Sequence, residues 1–315
     1  MNLKHKDTNI ETSEGMSQKS YPRLMRAATY ASVIIASILI LIKLGGWFAT
    51  NSLSLLATSI DSILDFGASI VNLIAIRHAL QPADKEHRFG HGKAEALASL
   101  AQAAFIAGSG IFLFLESVER FLEPRVVHNT DIGIGIMVVA IILTAILVGF
   151  QAYVVNKTNS IAISADSLHY RADILVNIAV IISLFLSANF NWVIADPIFA
   201  LLIVFYMLFG AFKIGVTALE VLMDKEFPDE DRKRIKDIAE SHEKVLSIHD
   251  MRTRSSGANS FIQFHAEMPK DISLLEAHEI ADEVMYMVEK SFPNTEVLIH
   301  QDPEGVDERR DDIFG

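Results

Sequence analysis

Apolar residues in this chain are gathered into long runs. Six stretches, at 27–49, 54–79, 95–118, 131–155, 161–187 and 197–222, each carry enough apolar residues for a membrane-spanning helix, which needs about 20. The first follows Lys19, Arg23 and Arg26 and is too long for a signal-peptide core. No small-residue cleavage site with a secreted domain follows it, so it reads as an uncleaved signal anchor. After Met223 the pattern changes. Asp229–His242 predicts a helix with acids in its first turn. Val245–Thr253 and Ser260–Met268 alternate like strands around a turn at Ser255–Asn259. Leu274–Phe292 returns to helical spacing, and Glu296–His300 predicts a third strand. That α-β-β-α-β order suits a small ferredoxin-like sandwich. The expected fold class is an α-helical membrane protein of six transmembrane helices with a C-terminal ferredoxin-like α+β domain. The expected divisions are an N-terminal tail at 1–25, a transmembrane domain at 26–223, a soluble domain at 224–303 and an acidic tail at 304–315. No internal repeat is visible.

Charge sharpens this division. Of the net −12, residues 1–223 hold only −1 and residues 224–315 hold −11. An acidic chain is a poor partner for nucleic acid, which wants basic patches. The absence of cysteine excludes disulfides, thiolate zinc fingers and iron–sulfur clusters, so any metal chemistry falls to histidine and carboxylate. Basic residues gather in the N-terminal tail (Lys4, Lys6, Lys19, Arg23, Arg26), in the loop after the second span (Arg77, Lys85, Arg88, Lys93) and at Lys157. The opposite loops have none around Asn51 and Asn189, and Arg120 and Arg125 in the third. This bias places both termini in the cytoplasm. The soluble domain is therefore expected to be cytoplasmic.

Ionisable residues in a bilayer are expensive and mark function. The second span carries Asp61 and Asp65, and the fifth carries His169 and Asp173, each pair spaced i,i+4. That spacing puts each pair on one helix face. If the two helices face each other, three carboxylates and an imidazole converge, a set suited to a tetrahedral divalent ion. The bland alternative is a water-filled cavity, or pairing with Lys43 or Arg171. Lys43, Gln102, Glu116, Asp166 and Lys213 read as snorkelling or helix–helix hydrogen bonding. Gly108, Gly110, Gly133 and Gly135 read as close helix packing.

Two further clusters lie outside the spans. In the loop after the second span, Asp84, His87 and His91 have short metal-ligand spacing, with Gly90 and Gly92 to let the backbone fold round an ion. In the soluble domain, His249, His265, His278 and His300 each fall near an element end, where strand ends and one helix could bring them together. Asp302 could bridge two ions there. His242 is read as surface. The string His278-Glu-Ile-Ala-Asp282 approaches a zinc-protease motif but lacks its second histidine.

On these residues the chain resembles the cation diffusion facilitator family, and closely its bacterial zinc-exporter branch. The matching pieces are Ser59-Ile-Asp61-Ser-Ile-Leu-Asp65-Phe-Gly-Ala, Arg88-Phe-Gly-His91-Gly-Lys93-Ala-Glu95, Ala165-Asp-Ser-Leu-His169-Tyr-Arg-Ala-Asp173 and Ile299-His300-Gln301-Asp302-Pro. The resemblance runs from about Tyr21 to Pro303 and includes Gln81-Pro-Ala-Asp84. It implies a homodimer of six-span units with a transport site at Asp61, Asp65, His169 and Asp173. It also implies an interface site at Asp84, His87 and His91. Cytoplasmic sites would be His249, His265, His278, His300 and Asp302, with Gln301 a further contact. The resemblance finally implies a salt bridge of Lys93 with Asp224 that locks the dimer at the membrane surface. No ligand position departs from the pattern.

The expected function is Zn²⁺/proton antiport by alternating access, exporting zinc from the cytoplasm across a bacterial inner membrane. Fe²⁺ and Cd²⁺ are the alternative cargoes. Zinc binds deprotonated ligands, so its arrival displaces protons. An imidazole at His169 favours zinc or cadmium, whereas an all-carboxylate site suits manganese or iron. An enzyme is not expected, because a membrane metalloenzyme needs an open metal with a nearby general base and a substrate cleft. A metal sensor would have no use for ligands inside the membrane.

Overall fold

The computed structural model describes residues 20–50, 53–122, 131–190, 192 and 194–306. The expectations resting on Lys4, Lys6, Lys19, Asn51, Arg125 and the end of the acidic tail lie outside the described residues. Six helices are long and apolar enough to cross a membrane: α1 (Ser20–Thr50), α2 (Leu53–Ala79), α3 (Lys93–Leu122), α4 (Asp131–Thr158), α5 (Ile161–Phe190) and α6 (Ala195–Leu222). In hydrocarbon no water satisfies a backbone N–H or C=O, so a segment of this kind closes its hydrogen bonds as a helix. The first helix begins at Ser20, so residues 20–25, expected in the tail, are helical. Tyr21, Leu24 and Met25 pack with Ile76, Val154 and Ile163, which holds that turn in place.

Helix α3 lies along α6, and α5 packs against both. Ala103, Ile106, Leu168, Ala172, Met207 and Ile214 form the apolar centre of this group. Of the glycines expected to permit close packing, Gly110 does so: a Cβ there would stand 3.2 Å from Leu208. A Cβ at Gly108 or Gly135 would meet nothing within 4 Å among the described residues of the single chain. Gly210 is tighter than Gly110, since a Cβ there would come within 2.6 Å of Leu168.

The C-terminal domain is α7 (Asp229–Ala239), β1 (Ser247–Ser256), β2 (Asn259–Met268), α8 (Leu274–Ser291) and β3 (Thr295–Pro303). Helix α7 stops three residues earlier than its acidic start and apolar spacing predict, at a turn through Glu240 to His242. Ser273 caps α8 by accepting from the Glu276 amide at 3.2 Å. The sheet order is β1-β2-β3, with β1 antiparallel and β3 parallel to β2. Ile262, Phe264, Ala266 and Val297 from the sheet pack with Ile235, Ile280, Val284 and Val288 from the helices. Both strand ends extend beyond the predicted turn. Gly257, at φ +62, makes the reversal in two residues, so pairing reaches Ser256↔Asn259. Strand β3 runs on to Pro303 because its pairing with β2 continues to Met268. A bulge interrupts β1 between His249 and Arg252, with Asp250 at φ +47.

The loop between α2 and α3 sits directly on this domain. Phe89 meets Phe261 edge-on at 5.3 Å, and the Arg254 guanidinium lies 4.3 Å from the Phe89 ring centre. A Cβ at Gly92 would stand 2.0 Å from the Ser256 carbonyl oxygen. That neighbour is backbone and cannot swing aside. Gly92→Ala should therefore push the loop off the β1–β2 turn and destabilise the protein by about 1–3 kcal/mol. Thermal unfolding of purified protein measures this; an unchanged midpoint would contradict the contact.

Candidate metal centres

In three places among the described residues His and carboxylate donors come together, forming four groups whose ligand atoms lie within 4.8 Å of one another, two of which share His265. The first lies inside the helix bundle. Asp65 on α2 faces His169 and Asp173 on α5, because the i,i+4 pair on α5 occupies one face. His169 Nε2 is 2.9 Å from Asp65 Oδ1 and 3.6 Å from Asp173 Oδ2. His169 is only 6% exposed, so its ring is held by protein on nearly every side. Asp61 does not join the group. It stands one turn before Asp65 and lines the same cavity, of about 1000 Å³. The expected four-donor set is thus three donors and a fourth on the adjoining wall. Lys43 makes no ion pair with these acids among the described residues; its ammonium bonds Ser62 at 2.6 Å and the Thr58 carbonyl.

The cavity has a direction. Its lining runs from Asp65 and His169 along the halves of α2, α3, α5 and α6 remote from the C-terminal domain, as far as Arg120 and Asp196. On the near side the helices close around apolar packing and a buried carboxylate. Asp166 receives Ser32 Oγ at 2.6 Å, Gln151 Nε2 at 2.7 Å and Gln102 Nε2 at 3.2 Å, donors from α1, α4 and α3. Gln102 and Asp166 are thus helix–helix hydrogen bonders, as expected of them. Glu116 pairs with Arg120, which also reaches Asp196 across to α6 at 2.8 Å.

The second group is the loop. Asp84, His87 and His91 converge as expected. His87 Nδ1 is 3.3 Å from Asp84 Oδ1, and His91 Nε2 is 3.5 Å from Asp84 Oδ2. The amide of His87, with that of Glu86, donates to the Asp84 carboxylate and holds its pKa below the ordinary value. It stays ionised where a cation needs it. Lys93 and Asp224 meet at 2.9 Å within a single chain, and Arg254 stands 3.6 Å from the same carboxylate.

The third group crosses the sheet. Register places His249 opposite His265 and His265 beside His300, so three strands carry a row of imidazoles. Their ring centres are 5.2 and 4.5 Å apart, near the strand spacing of about 4.8 Å. Asp302, two residues beyond His300, shares its face. Its carboxylate lies 2.9 Å from His265 Nδ1, 3.1 Å from His300 Nε2 and 3.3 Å from His249 Nε2. Gln301 falls on the opposite face with Val297 and Ile299, away from the row. Asp250, which no motif flagged, groups with His249 and His265 because the bulge carries it there.

His278 is not brought to the row within this chain. Helix α8 covers the other face of the sheet and packs Ile280, Val284 and Val288 inward. His278 points out, 64% exposed, with Asp282 as its neighbour at 3.6 Å. His242, read as surface, is largely covered and bonds Glu283 at 3.1 Å between α7 and α8.

Comparison with known proteins places the chain in a family. Residues 29–223 match the family model for the cation efflux transmembrane domain, and residues 227–304 match that for the cation efflux protein cytoplasmic domain. The chain is 47% identical over 285 residues to the cation-efflux pump FieF of Salmonella choleraesuis (strain SC-B67), covering 90% of this chain and 95% of that one. The same figures hold for FieF of Salmonella newport (strain SL254). A solved structure of CzrB in its zinc form is 33% identical, covers 27% of this chain and 99% of its own, and gives a TM-score of 0.26. With its six spans followed by the α-β-β-α-β domain, this chain belongs to the cation efflux family.

Proposed function

We propose that this protein exports Zn²⁺ from the cytoplasm in exchange for protons, as a homodimer in a bacterial inner membrane with both termini cytoplasmic. Asp65, His169 and Asp173 take the ion, and Asp61 supplies the fourth donor by turning from the cavity wall toward them. The observation that carries this reading is the single position of His169 Nε2, 2.9 Å from one carboxylate and 3.6 Å from another. A nitrogen so placed either donates a proton to Asp65 or gives its lone pair to a metal held by the same carboxylates. It cannot do both. Ion and proton are alternative occupants of one site, which is the requirement for antiport.

The rest of the bundle supports alternating access. The cavity reaches the site from the end remote from the C-terminal domain. The near end is closed by the packing around Leu168 and Met207 and by the hydrogen bonds to Asp166. In this conformation the ion is released outward, and opening the near end requires Gln102 on α3 to leave Asp166 on α5. Membership of the cation efflux family supports a transport reading over an enzymatic one. One imidazole among carboxylates favours Zn²⁺ and Cd²⁺ over Mn²⁺ and Fe²⁺. The loop group and the sheet group read as further zinc sites. Zinc on the sheet is regulatory, drawing together two domains that each carry a large negative charge. Lys93 and Asp224, paired within the chain, brace the membrane end of that domain.

Reconstituted vesicles with an imposed pH gradient test this directly. The parent protein should accumulate radioactive zinc against the gradient, and Asp65→Asn should lose at least about 90% of that flux. Flux that ignores both the gradient and the substitution would sink the proposal. In the same assay His169→Asp should admit Mn²⁺, which the parent should carry far more slowly than Zn²⁺. Asp302→Ala should abolish the zinc-dependent shortening of the distance between the two C-terminal domains, measured by spin labels. An identical shortening in that variant would remove the regulatory role.

A further inference from the structure

His78, in the last turn of α2, belongs to no motif and no donor group described above. Its ring centre lies 4.6 Å from that of His91, edge-on at 66°. On the other side of His91, the ring of His87 lies at 4.5 Å. His91 therefore sits between two imidazoles, only one of which shares Asp84. His91 is 7% exposed, and its Nδ1 has no hydrogen-bond partner. A ring so buried with one nitrogen unanswered is the mark of a side chain placed for a ligand. His78 is exposed and makes no hydrogen bond through its ring among the described residues, so nothing holds it in its resting position.

We propose that His78 is the fourth ligand of the loop metal site, completing Asp84, His87 and His91 when a divalent ion binds. Three donors leave one position of a tetrahedral ion for water, and a site with four protein ligands is closed to exchange. His78 stands outside the three-donor cluster at rest. To reach the ion its side chain has to rotate past the edge of the His91 ring, 4.6 Å away between ring centres. Its place at the C-terminal end of α2 helps, because the helix dipole favours a cation there. The closed site ties the end of α2 to the loop that rests on Ser256. Metal in the loop would thereby fix how the second helix meets the C-terminal domain. This inference rests on the loop being a metal site.

Cobalt titration of the full-length chain tests both points separately. In a background where Asp65→Asn with His169→Ala, and His265→Ala with Asp302→Ala, silence the bundle and sheet sites, the loop should bind one Co²⁺ with the intense visible band of a four-coordinate site. Adding His78→Ala should weaken binding at least about tenfold, by comparison with the 10–100-fold lost with outer-shell partners. The band should fade as water enters, and free imidazole should restore it. Adding Asp84→Ala should abolish binding with no rescue by imidazole. If His78→Ala leaves both affinity and band unchanged while Asp84→Ala abolishes them, the fourth-ligand role is wrong and the loop site stands. If Asp84→Ala also changes nothing, the loop holds no metal and both readings fall.

Discussion

Asp65 and His169 confront each other across α2 and α5 at 2.9 Å, on the wall of the bundle's cavity and among helices apolar enough to span a membrane. A carboxylate in hydrocarbon needs a counter-charge, a proton or a set of hydrogen-bond donors, and much of the bundle is arranged around how that need is met. The imidazole and the second carboxylate give the site a partner that a metal ion can replace. The cavity reaches it from one end. The apolar packing around Leu168 and Met207 keeps water out from the other.

Asp166 shows that burial of an acid does not by itself make a transport site. It lies three residues before His169 on the same helix and is more deeply enclosed, yet three neutral donors from three other helices satisfy it. Each of those bonds crosses between helices. The acid therefore serves as a pin on the closed side of the site. Two carboxylates on one helix have different roles because of the side chains opposite them.

The C-terminal domain uses a different device. Its donors are aligned by strand pairing, so the spacing of the His249, His265 and His300 row follows from the register of β1, β2 and β3. Strand alternation also explains why Gln301 is turned away while His300 and Asp302 share a face. The bulge at Asp250 breaks that alternation and adds an acid that a regular strand would have pointed elsewhere. His278 fails to join for an equally simple reason, since its helix lies on the other side of the sheet. Within one chain its imidazole and the row cannot meet.

The order of elements, the six spans and the i,i+4 spacing of Asp61 with Asp65 and of His169 with Asp173 were all legible in the amino-acid order. Each depends on spacing along one element or on runs of one residue type, and hydrocarbon enforces both. Asp84, His87 and His91 were legible too, being confined to one short loop. What the chain could not reveal locally depends on contacts between elements: Asp61 left outside the group of Asp65, His169 and Asp173, Gly92 pressed on Ser256, and His78 beside His91. Side-chain direction at those positions is decided by packing across elements. Periodicity therefore determined which residues share a face, and the tertiary structure decided which faces meet and at what distance.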